Sequence, residues 1–217
     1  MDSRRERLRR ARLYFVTDVQ PGLEELLAAA LSGGVDMVQL RDKEASDEEL
    51  VSAASVFRRL CDEHGVLFWL NDRPDLVEAC GADGVHVGHD DMPVAAARAA
   101  VGPDVLLGLS THSPAQLDAA LAERVADQLS VGPVWETPTK EGRPAAGLPY
   151  VEYAASVAGG LPWFAIGGID LDNVREVIAA GASRVVVVRA IRDAADPRAA
   201  ASALRAALEE ASVGAES

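Results

Sequence analysis

Residues 37–70 read MVQLRDKEASDEELVSAASVFRRLCDEHGVLFWL, and their order of patterns sets the fold. Met37–Leu40 is short and apolar but for Gln39, which suits a buried strand. Arg41-Asp42-Lys43 breaks the run. Ser46 then stands where a helix N-cap belongs, and Asp47–His64 carries helical periodicity in Ala, Leu and Glu. Leu67–Leu70 is a second short apolar run. Strand, helix and strand in close succession form a βα unit with parallel strands.

The same alternation extends in both directions. Strands are expected at 13–17, 37–40, 67–70, 84–87, 106–109, 128–131, 163–166 and 184–188. Helices are expected at 23–32, 47–64, 74–80, 93–100, 114–124, 149–158, 171–180 and 197–211. Ser113 and Asp196 stand at further N-cap positions, with Pro114 and Pro197 at the first helical residue. Gly33-Gly34, Gly81, Gly102 and Gly181 follow predicted helices, where glycine relieves the left-handed C-terminal turn. No linker or change of composition divides residues 1–217. Eight such units in one stretch predict a single-domain α/β chain, a (β/α)8 TIM barrel. A doubly wound open sheet is the rival, but the first turn, Thr17-Asp18-Val19-Gln20-Pro21, has no GxGxxG.

Half of the 217 residues are apolar, enough for a sizeable core. A net charge of −13 excludes a general nucleic-acid binder, which needs a basic face. No apolar run approaches the roughly 20 residues of a membrane helix, so a cytoplasmic protein is expected, and homo-oligomers stay open. Cys61 and Cys80 have no motif spacing and read as reduced core thiols. The arginine-rich start, residues 1–12, reads as a short solvated lead-in helix. Residues 212–217 read as a disordered tail.

In a barrel of this kind, chemistry sits at the C-terminal ends of the strands. Those ends supply Gln39, Arg41 and Lys43; Asn71 and Asp72; His86, with Asp90 and Asp91 on its loop; Ser110 and His112; Thr137, Thr139 and Lys140; Gly167-Gly168; and Arg189. Of 21 basic residues only Lys43 and Lys140 are lysine, and both fall at strand exits, where a compact ammonium can meet a phosphate. Asp72 and Asp91 suit a hard cation such as Mg2+, which takes oxygen ligands and is often shared with a substrate phosphate. Taken singly, Asp72 also reads as a turn residue before Arg73-Pro74. Gly167-Gly168 and the end of the eighth strand suit a phosphate group. The chain has no zinc-ligand spacing, no GxSxG and no Walker A motif.

With Tyr14-Phe15-Val16-Thr17-Asp18, Gln39-Leu40-Arg41-Asp42-Lys43, Leu70-Asn71-Asp72, Gly84-Val85-His86-Val87-Gly88, Gly108-Leu109-Ser110, Thr137-Pro138-Thr139-Lys140 and Ile166-Gly167-Gly168-Ile169 in this order, the chain resembles the thiamine-phosphate synthase family. The resemblance implies a transferase that joins hydroxymethylpyrimidine diphosphate to a thiazole phosphate, releasing diphosphate and forming thiamine phosphate. It implies that Asp72 and Asp91 ligate Mg2+. It implies that Gln39, Leu40, Arg41, Asp42 and Lys43, with Asn71, Ser110 and Lys140, hold the pyrimidine diphosphate. Thr137, Pro138, Thr139, Gly168, Val188 and Arg189 would hold the thiazole phosphate. Arg41, Lys43 and Lys140 would neutralise the leaving group. The polar stretch 137–147, with Gly142 and Gly147 as hinges, is long enough to be a lid. The chain departs from the family pattern at Arg189, where serine is usual, and at Glu136, where proline is common. Two alternatives remain: an isomerase of the same barrel acting on the thiazole phosphate, with His112 as its proton-transfer group, and a barrel that binds a phosphorylated ligand without catalysis.

Overall fold

A computed structural model describes residues 3–89, 91–137 and 144–214. In chain order the elements are α1 (Arg4–Arg10), β1 (Leu13–Thr17), α2 (Leu23–Ser32), β2 (Met37–Leu40), α3 (Asp47–His64), β3 (Leu67–Asn71), a 3-10 turn (Pro74–Leu76), α4 (Val77–Cys80), β4 (Gly84–Val87) and α5 (Val94–Val101). They continue as β5 (Leu106–Thr111), α6 (Pro114–Glu123), β6 (Gln128–Val131), α7 (Gly147–Val157), β7 (Trp163–Ile166), α8 (Val174–Ala179), β8 (Val185–Val187), α9 (Arg189–Arg192) and α10 (Pro197–Gly214). Each strand pairs in parallel with its sequence neighbours, and β1 also pairs with β8, so the sheet closes into a barrel.

Local chemistry sets the helix starts. Ser46 accepts from the Glu49 amide while Glu49 accepts from Ser46, a reciprocal cap for α3. Ser113 caps α6 through the Gln116 amide, and the Asp196 carboxylate accepts from Ala199 at the start of α10. The segment 171–173, expected to be helical, instead forms a turn. There the Asp170 carboxylate accepts from the Asp172 amide and Asn173 accepts from the Asp170 amide. The closing helix runs to Gly214, three residues into the segment expected to be a tail.

Side chains alternate across each strand and so build two cores. The outer core lies between strands and helices and includes Phe15, Val38, Leu40, Phe57 and Phe68. Cys61 and Cys80 are buried free thiols, and burial pushes the Cys61 thiol up to about 12. The inner core fills the lower barrel with Tyr14, Met37, Leu67, Trp69, Leu106, Phe164 and Val186. The lead-in helix α1 exposes Arg5, Glu6, Arg9 and Arg10 to solvent, and Leu8, at 2 % exposure, joins the inner core, so the helix also covers the barrel floor.

The arginines of that region have a structural task. Asp36, Asp83 and Asp127 directly precede β2, β4 and β6. Each carboxylate accepts a backbone amide from an adjoining strand: Leu13, Phe68 and Leu107 respectively. Arg205 pairs with Asp36, Arg4 and Arg58 with Asp83, and Arg5 and Arg98 with Asp127. A planar fork of donors suits such multiple contacts better than an ammonium.

Candidate functional site

The opposite, C-terminal end of the barrel holds a cavity of about 320 Å3. Its floor is the upper edge of the inner core, Tyr14, Val16, Ile166 and Val186, and its walls are the strand exits.

Strand alternation divides the Gln39–Lys43 run. Gln39, Arg41 and Lys43 line the cavity. Leu40 and Asp42 point the other way, as a period of two requires. The Leu40 side chain is fully buried in the outer core. The Asp42 carboxylate accepts the amides of Val19, Glu44 and Ala45, tying the loop together. Of the five residues expected to hold the pyrimidine diphosphate, Gln39, Arg41 and Lys43 line the cavity, and Leu40 and Asp42 do not.

Lys43 sits between the two candidate metal carboxylates. Its Nζ lies 3.4 Å from Asp72 Oδ2 and 3.6 Å from Asp91 Oδ1. Asp72 adopts φ 56°, a left-handed conformation that aspartate tolerates better than most residues. Its carboxylate accepts from Asn71 Nδ2 at 2.6 Å and from the Gly88 amide at 3.3 Å. It caps no helix, but it forms the bend before Arg73-Pro74, so Asp72 is a turn residue as well as a wall of the cavity. Any Cβ at residue 88 would stand 2.1 Å from Asp91 Oδ2, so a glycine there makes room for the second acid. Among the described residues no group of three or more His, Cys, Asp or Glu gathers. The donor set is a pair of carboxylates, which suits a hard cation that keeps waters and shares a phosphate.

Deeper in the cavity, Gln39 Nε2 donates to the Tyr14 hydroxyl at 2.5 Å. Burial raises that phenol well above its ordinary value, so it stays protonated. His86 bridges Ser110 Oγ and Gln128 Nε2, each at 2.9 Å. His112 Nδ1 lies 2.6 Å from the Gly132 carbonyl oxygen. Thr137, Gly167, Gly168, Val188 and Arg189 line the opposite wall, where α9 begins. Arg41 and Arg189 make no side-chain hydrogen bond or ion pair to other described residues.

The structure thus brings together Gln39, Arg41, Lys43, Asn71, Asp72, Asp91, Ser110, Thr137, Gly168, Val188 and Arg189. Asp90, Pro138, Thr139, Lys140 and Gly142 lie outside the described residues; Gly147 opens α7. Tyr14, Ser130 and Asp170 also line the cavity and were not among the expected site residues, and Gln128 meets His86 just beneath it. Tyr14 hides in an apolar strand. Gln128, a polar residue opening an apolar run, was a legible signal.

The family model described as thiamine monophosphate synthase matches residues 13–191. A thiamine-phosphate synthase of Acidothermus cellulolyticus is 52 % identical over 204 residues, covering 93 % of this chain and 96 % of its own. One from Thermus thermophilus is 54 % identical over 200 residues, covering 89 % and 95 %. The solved thiamine phosphate pyrophosphorylase from Pyrococcus furiosus superposes with a TM-score of 0.85 at 33 % identity, covering 95 % of this chain and 98 % of its own. Agreement at that identity over nearly the full length carries both the barrel and the transferase class, and the chain belongs to the thiamine monophosphate synthase family.

Proposed function

We propose that this enzyme joins hydroxymethylpyrimidine diphosphate to a thiazole phosphate, with Mg2+, to form thiamine phosphate and diphosphate. The observation that carries the reading is Lys43 set between Asp72 and Asp91 at the mouth of the cavity. The described side chains lining the cavity include three cations, Arg41, Lys43 and Arg189, and three acids, Asp72, Asp91 and Asp170. Their formal charges cancel (3 − 3 = 0), in a chain of net charge −13. Two phosphorylated substrates need more positive charge than that, and Mg2+ on Asp72 and Asp91 would neutralise the departing diphosphate.

The chain's own groups divide the remaining work. Arg41 and Lys43, with Lys140, hold diphosphate oxygens and stabilise them as the C–O bond breaks. Gln39, Asn71 and Ser110 orient the aminopyrimidine. Its electron-rich ring supports the methylene cation of a dissociative path, and the thiazole nitrogen then attacks that carbon. Thr137, Pro138, Thr139, Gly168, Val188 and Arg189 hold the thiazole phosphate. No general base is needed for the bond-forming step. Water must be kept from the cation; the stretch 137–147 expected to act as a lid lies largely outside the described residues.

The test is the coupling reaction with purified protein. Thiamine phosphate should form only with both precursors and Mg2+, and chelation should stop it. Product from the thiazole phosphate alone would favour the isomerase. Ligand binding without turnover would favour a sensor.

A further inference from the structure

Resting on that reading of Ser110 as a substrate contact, we infer that Gln128 is a positioning residue: through His86 it fixes the Ser110 hydroxyl as a hydrogen-bond donor to the substrate.

Three strands build the relay. His86 on β4 is in register with Gly108 on β5, and Gly108 with Gln128 on β6. Residues in register on paired strands point to the same face of the sheet, so a side chain at residue 108 would stand between those of His86 and Gln128. Glycine removes it. A Cβ there would stand 2.2 Å from Gln128 Nε2 and 2.4 Å from His86 Nδ1. The gap is filled by a hydrogen bond of 2.9 Å between those two atoms. Two residues further up β5, Ser110 Oγ meets His86 Nε2, also at 2.9 Å, and it lines the cavity. Gln128 is fully buried and His86 is 7 % exposed.

The donor order follows from one end. The Gln128 amide nitrogen can only donate, so His86 Nδ1 accepts. A neutral imidazole with a lone pair on Nδ1 carries its proton on Nε2. Nε2–H therefore donates to Ser110 Oγ, and the serine proton is left for an acceptor in the cavity. A free serine hydroxyl would rotate among partners, and part of its interaction would be lost to the wrong orientation. Gln128 Oε1 has no hydrogen-bond partner among the described residues. A buried unpaired acceptor is a cost, and it is one the proposed order explains. Turning the amide over would pair that oxygen but leave both amide protons unpaired, and Ser110 would then donate to His86.

Nitrogen NMR of the labelled full-length protein reads the His86 tautomer without substrate. The chain has four histidines, and a His86→Gln spectrum identifies the relevant signal. The Nε2–H form is expected; a dominant Nδ1–H form overturns the proposal. Gln128→Met keeps the volume and removes the donor. It should lower kcat by about tenfold, the effect of one substrate hydrogen bond, and let the Nδ1–H form appear. In a Ser110→Ala background the same change should add no further loss. Equal losses in both backgrounds would show a general packing effect and overturn it as well. His86→Gln, which retains a donor toward Ser110, should keep more activity than His86→Leu. If Gln128→Met fails to fold, the wild-type tautomer decides alone. If wild-type protein makes no product, the functional reading fails while the tautomer result stands.

Discussion

Gly88 contributes no side chain, yet it governs how the second carboxylate of the mouth can sit. Its amide donates to Asp72 and its missing Cβ makes room for Asp91. Gly88→Ala should push Asp91 aside while leaving both acids in the chain. The Mg2+ concentration for half-maximal coupling should then rise about tenfold, the usual size of a change beside a metal ligand. A titration unchanged from wild type would rule out Asp91 as a ligand of the proposed Mg2+. Arg189 poses a different question. It lines the cavity with no side-chain hydrogen bond or ion pair to another described residue. An exposed guanidinium in reach of a phosphate adds charge-assisted hydrogen bonds. Arg189→Ser should raise the KM for the thiazole phosphate about tenfold and leave kcat unaltered, since the contact is the same before and during reaction. An unmoved KM would mean that the side chain faces solvent.

The floor helix α1 and the strand-foot aspartates work as one stabilising unit. Asp83 is 3 % exposed. Burial alone would raise its carboxyl, but the Phe68 amide and the Arg4 and Arg58 guanidinium groups outweigh it and hold the carboxyl below its ordinary value. A carboxyl depressed in the folded state stabilises the fold above its unfolded value of about 3.9. That contribution fades as pH falls through the lower, folded value. Urea unfolding measured from about pH 6 downward should show stability dropping below about pH 4, and Asp83→Asn should flatten that drop. Asp83→Ala should cost about 2 kcal/mol at neutral pH, because it leaves the buried Phe68 amide unpaired, while Arg58 keeps Asp62 and the Gly81 carbonyl. A wild-type acid limb matched by Asp83→Asn would assign the pH dependence elsewhere. The floor also marks how far the sequence could be read. The caps at Ser46, Ser113 and Asp196 were visible because capping is local chemistry. The pairing of Arg4 with Asp83 was not, since it joins residues 79 positions apart that meet only after the barrel closes. Helix α9, Arg189–Arg192, is one turn long and carries no periodicity to detect.

Closure of the barrel joins stability to function through the inner core. Strand alternation made the eight units legible, and strand exits named most of the cavity wall. The floor was harder to read, because Tyr14 and Val16 look like ordinary strand residues and acquire a role only by facing inward. The Phe164 ring meets Tyr14 edge-on, with centroids 5.7 Å apart, and Tyr14 packs against Trp69 at 6.1 Å. The Tyr14 hydroxyl in turn receives the Gln39 amide. A fully buried ring on β7 therefore supports a polar contact on β2 without touching substrate itself. Phe164→Ala should cost about 3–5 kcal/mol, a transfer loss plus a cavity that a rigid barrel cannot close. In a chain of this size that lowers the Tm by roughly 10 °C. If the floor positions Gln39, the same variant, assayed well below its Tm, should also raise the KM for the pyrimidine diphosphate. Gln39→Ala should have a raised KM already, and adding Phe164→Ala should leave it nearly the same. A Phe164→Ala enzyme with lower Tm but wild-type KM would show that the two cores of the barrel are energetically separate from its mouth.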